Sequence, residues 1–552
     1  MKALLLFPVL VSLMPAAEKP NIVLIMVDDM GYSDLGCWGG EIETPNLDSL
    51  AKNGLRFTQF YNSARCCPTR ATLMTGLHPH QAGIGYMTRE DAPDGKGIPP
   101  AYAGNLNDSC VTLAQVAKSA GYATFMTGKW HLAGTNQADW PLQRGFDRFH
   151  GTIAGAANYF HPQGWRSIYN DNEKDPEPES TTDRPYYTTD AFVDHAIDYI
   201  AENEKAGDKP FFLYLAFNAP HWPLHAPDPE LDKYRGKYDL GWDKLREQRF
   251  KKQVDSGLIP ASWKMSPRDP DVPAWDSVAK EKQAESSLRM AAYAAMIDRV
   301  DQKIGDLIAE LKKNGEFENT LILFLSDNGA CAEGPVLGDG DPIADRAKGK
   351  GSFNPVLGKA WANAAATPYR LYKHFAHEGG ANTPFIAHWP ARIKGGRDWF
   401  RQPAQLIDVM ATVTEVAGTA YPDEFGGHPV TPIDGISLVP AFDGKPLVRE
   451  GPIFIEHENN AFVRDGDWKL VGRGVSPASG LKPKKWELYH ISADGTELDD
   501  LAGREPGRVK AMSARWREWA RRAGVYPKPG SKQKKPSPAN APKAGKGPGK
   551  TK

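Results

Sequence analysis

Asn21–Val27 reads NIVLIMV and runs straight into Asp28-Asp29. Six successive apolar residues, four of them β-branched, describe a strand covered on both faces. Two adjacent carboxylates at the end of such a strand are costly unless something neutralises them, and a hard divalent cation with oxygen ligands does so. The pattern recurs downstream. Thr320–Leu325 (TLILFL) ends in Ser326-Asp327-Asn328-Gly329, and Pro210–Phe217 (PFFLYLAF) ends in a proline-framed turn that holds His221. Tyr122–Thr127 leads into Gly128-Lys129-Trp130-His131, where strand alternation points Lys129 and His131 the same way. A last strand is expected near Pro384–His388, shortly after Tyr372-Lys373-His374 and Glu378-Gly379-Gly380.

Helices are expected between these strands. Thr44-Pro45-Asn46 caps one that stops at Asn53-Gly54, and Val111–Ala120 forms another, closed by Gly121. Ser286–Lys313 is strongly amphipathic, with Met290, Tyr293, Ile297, Val300, Ile304, Leu307 and Leu311 on one face. Alternation of this kind predicts an α/β fold, a mostly parallel sheet sandwiched by helices. Ligands of such sheets bind beyond the carboxyl ends of the strands, where Asp28, Asp29, Lys129, His131, His221, Asp327 and Asn328 all stand.

The second informative stretch is Cys66-Cys67-Pro68-Thr69-Arg70, continuing to Thr75-Gly76. Pro68 suits the first position of a helix, which would leave Cys66 just outside the helix N-terminus. Free N–H groups there stabilise an anion, and Arg70 reaches back to the same point. His78, His80 and His225 are weaker candidates; the first two fit a pocket mouth or a surface loop equally well.

At 552 residues the chain is long enough for two domains. The net charge is −1, yet the eight lysines of residues 527–552 meet no acid, so the body is acidic and does not advertise nucleic-acid binding. Lys2, the apolar run Ala3–Met14 and the small residues to Ala17 read as an export signal over residues 1–17. No later segment is apolar enough for a stable membrane anchor. Cys37, Cys66, Cys67, Cys110 and Cys331 form neither a disulfide framework nor a zinc site. The expected domains are 18–414, with an irregular insertion at about 226–283 beside the pocket, and 415–526. The second holds a small antiparallel sheet plus a helix from about Pro506 to Ala523. Within it, 463–471 and 486–489 are expected to pair as a hairpin. Residues 527–552 read as a disordered basic tail.

The C-x-P-x-R…T-G stretch resembles the type I sulfatase signature of the alkaline-phosphatase-like superfamily, arylsulfatase branch. Val-Asp-Asp, Gly-Lys-Trp-His, Pro-His, Ser-Asp-Asn-Gly, and Lys373 five residues before Glu378-Gly379-Gly380 follow in the family's order. The resemblance covers roughly residues 19 to 525. It implies that a formylglycine-generating enzyme oxidises Cys66 to formylglycine, while Cys67 stays a thiol. One hydroxyl of the hydrated aldehyde attacks sulfur and the other later expels sulfate. By similarity, Asp28, Asp29, Asp327, Asn328 and the modified Cys66 bind one Ca²⁺. Three carboxylates against this ion leave −1, and Arg70, Lys129 and Lys373 bring the site to +2. Asp327 is assigned the proton of the attacking hydroxyl. His221 is assigned the acid role with help from Lys373, and His131 the base role in sulfate elimination. The implied substrate is a sulfate-ester small molecule, aryl sulfate or sulfated glycan. A phosphomonoester or phosphonate monoester hydrolase, and a silent binder of sulfated glycans, stay open as alternatives.

Overall fold

A computed structural model describes residues 19–88, 98–176, 178–179, 185–207, 209–344, 355–476, 483 and 485–528. The expected export signal, residues 529–552 of the expected tail and residues 345–354 lie outside the described residues.

The large sheet has ten strands: β1 (Asn21–Val27), β2 (Leu55–Tyr61), β3 (Ala123–Lys129), β4 (Arg148–Thr152), β5 (Ile168–Asn170), β6 (Glu173–Asp175), β7 (Phe211–Ala216), β8 (Thr320–Ser326), β9 (Asn382–His388) and β10 (Ala404–Gln405). Their order is β10-β2-β9-β8-β1-β7-β3-β4-β5-β6. β1 lies in the centre, parallel to β7 on one side (Ile22 beside Phe212) and to β8 on the other (Ile22 beside Leu321). Only β5 and β9 run against the rest. The alternation of β1 divides the core. Val23, Ile25 and Val27 join one buried cluster, and Ile22, Leu24 and Met26 join the other.

Helices cover both faces. α1 (Pro45–Asn53), α4 (Thr188–Ala206), α5 (Asp228–Tyr234), α6 (Gly241–Asp255), α7 (Lys280–Lys313) and α8 (Lys359–Ala365) pack with the first cluster. α2 (Cys66–Thr75), α3 (Leu113–Ser119), α10 (Ile407–Val416) and α11 (Val439–Phe442) pack with the second. α9 (Glu378–Ala381) is one turn ahead of β9. Thr44 is the cap residue of α1, but its hydroxyl accepts from the Gly36 N–H and donates to Asp48. α3 carries the full capping box of Thr112 and Gln115. None of the described helices is long and apolar enough to cross a membrane.

Residues 226–283 are more regular than their composition implies. They form α5, α6 and a 3-10 turn at Trp275–Ser277, and Trp361 of α8 meets Trp242 edge-on and Trp275 at a tilt. The short ribbon of β11 (Glu424–Phe425) and β12 (His428–Pro429) follows α10. Leu438, Val439, Phe442 and Leu447 still belong to the core under the large sheet.

The small sheet therefore starts later than residue 415, at β13 (Ile453–His457), and continues through β14 (Asn460–Asp465), β15 (Trp468–Arg473) and β16 (Trp486–His490). The stretch 463–471 is itself a hairpin, turning at Gly466 with φ 57°, so the pair expected between 463–471 and 486–489 is the third hairpin of four strands. α12 (Pro506–Arg522) covers one face with Trp516 and Trp519. The other face sets Phe462, Val471 and Tyr489 against Tyr61, Ala376 and Ala381.

Candidate active site at the sheet's carboxyl edge

The strand directions assemble the site. β1, β2, β3, β7 and β8 all end at one edge, and each hands over to a polar segment there. β9 runs the other way, so its beginning lies at that edge, and the loop ahead of it brings Lys373 in.

Asp28, Asp327 and Asn328 are fully buried, and Asp29 nearly so. Lys129, the last residue of β3, ion-pairs with Asp28. Arg70 bonds Asp327 Oδ2 through Nη2 at 3.0 Å and donates to the Lys129 carbonyl at 2.8 Å. Lys373 Nζ lies 2.7 Å from Asp29 Oδ1, and His221 Nε2 lies 3.5 Å from Asp29 Oδ2. Asn328 Nδ2 donates to Asp29 Oδ1 at 2.6 Å, and the Asp29 N–H donates to Asp327 Oδ1 at 3.2 Å. All the catalytic and metal candidates read from the sequence thus converge, apart from the Cys66–His131 pair described next, which adjoins them through the cavity.

The helix after β2 begins at Cys66, two residues before the proline expected to open it. Pro68 is tolerated because the third residue of a helix also lacks an intrahelical partner for its N–H. Cys66 opens into a cavity of ≈ 510 Å³, together with His131, His221 and Lys373. Cys67 points elsewhere: it is fully buried, 3.1 Å from His131 Nε2 and 3.6 Å from Met87 Sδ.

Electrostatics favour an anion at Cys66. Its thiol is drawn well below the ordinary value, first by a hydrogen bond with Cys67, against burial, and then by Lys129 and His131. Burial pushes the Cys67 thiol well up. Burial, aided by Lys129, lowers His131 to about 4, so it is a neutral imidazole at pH 7. Burial opposes the charge on Asp28, yet Lys129, His221 and Arg70 hold it at about 2. Asp327 goes the other way, raised by burial and then by the Asp28 carboxylate. Burial opposes the charge on Lys373, and Asp29 outweighs it.

Backbone geometry is constrained here too. Asp29 and His131 adopt φ of 71° and 52°, a region costly for residues with side chains. Gly128 has φ 108°, and a Cβ on it would sit 1.9 Å from the Ala216 carbonyl of β7. A Cβ on Gly380 would meet the Phe375 carbonyl at 2.2 Å, so that glycine lets the Lys373 loop close onto α9.

The oxygen donors fit a hard cation. Asp28 Oδ1 and Asn328 Oδ1 are buried without a hydrogen-bond partner, and a divalent ion would relieve the repulsion between Asp28 and Asp327. A formylglycine fits at residue 66, where the cavity gives room and the surroundings stabilise negative charge.

The weaker histidines are not at the cavity. His80 Nε2 bonds Glu456 Oε2 at 2.9 Å, His78 packs edge-on against Trp519, and His225 packs beside Tyr159. The insertion at 226–283 contributes nothing to the described cavity wall, contrary to its expected place beside the pocket. That wall comes instead from 133–156, 166–169 and the neighbours of the catalytic candidates, including Trp140, Tyr169, Trp222, Arg65 and Glu333. Arg65 and Trp222 carried one usable signal, adjacency to Cys66 and His221; Glu333, a lone acid in a loop, carried none.

The sulfatase family model matches residues 20–419. An uncharacterized sulfatase of Schizosaccharomyces pombe is 35% identical over 93% of this chain and 95% of its own. An arylsulfatase of Klebsiella aerogenes is 35% identical over 76% of this chain and 91% of its own. Among solved structures, Ps i-CgsB in complex with a neocarrahexaose superposes with a TM-score of 0.64 at 25% identity, over 93% of this chain and 94% of that one.

Proposed function

The chain belongs to the sulfatase family and is a sulfuric ester hydrolase, and on that premise we propose that it uses formylglycine at residue 66 and one Ca²⁺ to release sulfate from a ring-bearing alcohol or phenol. The observation that carries this reading is Cys66 at the start of α2, in an anion-stabilising setting, opening into the cavity shared with His131, His221 and Lys373. Asp28, Asp29, Asp327 and Asn328 would hold the Ca²⁺, which would offset their charge and polarise a sulfate oxygen. A hydrated aldehyde at residue 66 would supply both a nucleophile and a route to sulfate release.

The remaining roles belong to side chains. Arg70 and Lys129 hold the buried carboxylates and add positive charge behind the nucleophile. Lys373 extends that charge to the cavity, beside the sulfate. His221 donates from Nδ1 to the Trp222 carbonyl at 2.7 Å, which fixes the ring and leaves Nε2 to pass a proton to the leaving oxygen. Neutral His131 takes a proton during sulfate release. Trp140, Tyr169 and Trp222 in the cavity wall support an aromatic leaving group; the relative bound to a neocarrahexaose supports a sugar sulfate as the second reading. Export rests on residues 1–17, and maturation by a formylglycine-generating enzyme on the Cys66 motif.

Turnover of matched sulfate and phosphate esters by one preparation tests the reading, together with the mass of the tryptic peptide Cys66–Arg70. Expected are dominant sulfate turnover, a formyl group at Cys66 and activity that a chelator removes and Ca²⁺ restores. Dominant phosphate turnover, or an unmodified Cys66 in a host with the maturation enzyme, would overturn it. A second expectation concerns His221→Ala. General-acid loss costs about 10²-fold or more, and the cost should fall mainly on esters with poor leaving groups, with less than about tenfold on activated aryl sulfates. Equal losses on both would remove His221 from that role.

A further inference from the structure

We infer that Glu333 is a positioning residue that keeps three segments of the cavity lip in register and acts on His221 through Trp222. The inference rests on the sulfate-ester reading above. Glu333 follows β8 and lines the cavity. Its Oε2 accepts from Trp222 Nε1 at 2.8 Å, and its Oε1 lies 3.2 Å from Arg65 Nη2 and 3.4 Å from His374 Nε2. Each partner is the chain neighbour of a different candidate catalytic residue: Arg65 precedes Cys66, Trp222 follows His221 and His374 follows Lys373. One carboxylate thus ties together the segments after β2, after β7 and before β9.

The shortest of the three links runs to Trp222. That residue is held at both ends, its indole by Glu333 and its carbonyl by His221 Nδ1, with the two rings 4.7 Å apart. Anchoring the indole fixes the peptide against which the imidazole is oriented. Burial opposes charge on Glu333, but the His374 hydrogen bond and then Lys373 and Arg65 keep it ionised far below the usual carboxylate range. The small sheet steadies the hub from outside, because His374 Nδ1 bonds Glu458 Oε2 at 2.8 Å in the turn between β13 and β14. His374, His457 and Glu458 bring three potential metal-binding atoms within 4.8 Å, but the carboxylates of Glu333 and Glu458 already pair with Arg65 and His374. The cluster is an ion-paired support for the lip.

The test uses Glu333→Ala, Glu333→Gln and Trp222→Phe in the matured full-length enzyme, with 4-nitrophenyl sulfate and a simple alkyl sulfate as substrates. In Glu333→Ala, KM should stay within about threefold, while kcat falls about tenfold more on the alkyl than on the aryl ester. Trp222→Phe keeps an aromatic ring but removes the pyrrole part of the indole with its N–H donor; it should reproduce the skew. Glu333→Gln keeps an acceptor for that N–H and should remove most of it. A purely structural role would lower both substrates alike. Equal losses, or no skew in Trp222→Phe, would therefore overturn the inference. If the wild-type enzyme turns over neither ester, the aryl leaving-group reading falls instead and the sugar-sulfate reading takes its place. The indole N–H resonance of Trp222 then still reports on the link: it should move in Glu333→Ala and hold in Glu333→Gln, and an unmoved resonance in Glu333→Ala would refute the hub.

Discussion

Cys66→Ala should abolish turnover while leaving the fold intact. Removal of a covalent nucleophile costs on the order of 10⁴-fold or more, because the surrounding charges then have no attacking atom to serve. Stability should change little. The Cys66 side chain faces an existing cavity, so its truncation opens no new void in packed core. Cys67→Ala is the informative control. That thiol is fully buried against Met87 and His131, so the variant should lose about 1–2 kcal/mol of stability yet keep most of its turnover. Steady-state kinetics with urea unfolding of both variants decides the matter. Residual activity above about 1% in Cys66→Ala would show that residue 66 is not the nucleophile.

The second large effect falls on stability, at the seam between the two sheets. Lys469 of β15 is fully buried, 2.6 Å from Glu378 Oε1 and 2.9 Å from Glu497 Oε1, with the Phe462 ring 4.7 Å away. Glu378 also accepts from Tyr61 and Asn382. Lys469→Met would strand two carboxylates in the core, and breaking a buried charge set from one side costs about 3–5 kcal/mol. The shift should appear as a lower denaturation midpoint. The triple variant Lys469→Met, Glu378→Gln, Glu497→Gln should recover most of the loss, since a buried ion set replaced as a whole is close to neutral. A Lys469→Met midpoint equal to wild type would mean that the seam is held by its apolar contacts alone.

Much of the site was legible because charge at the end of an apolar strand has few explanations. Asp28-Asp29, Lys129 and Asp327-Asn328 needed only the strand pattern to be placed on one edge. Lys373 was different. Its motif was readable, but its delivery to that edge depends on β9 running antiparallel, and no local feature of NTPFIAH encodes direction. Residues 226–283 misled because charge, tryptophan and proline suit a loop, whereas Trp242 and Trp275 are core contacts of short helices. The stretch 463–471 misled because the Asp465-Gly466-Asp467 turn lies inside a run read as one strand. Glu333 escaped notice because a hub is defined by its partners, which stand far apart in the chain.

The central place of β1 bears on how the protein is made. Its hydrogen-bonding neighbours, β7 and β8, leave the ribosome long after it does, since Ile22 pairs with Phe212 and Leu321. Until they emerge, NIVLIMV is an unpaired, apolar segment with both edges open, of the kind that recruits chaperones or aggregates. Topologies built from such distant pairings fold slowly. The same delay keeps Cys66, only 2% exposed in the finished fold, within reach of other enzymes. The interval before the sheet closes is therefore both the chain's most hazardous period and the one in which that cysteine is open to modification.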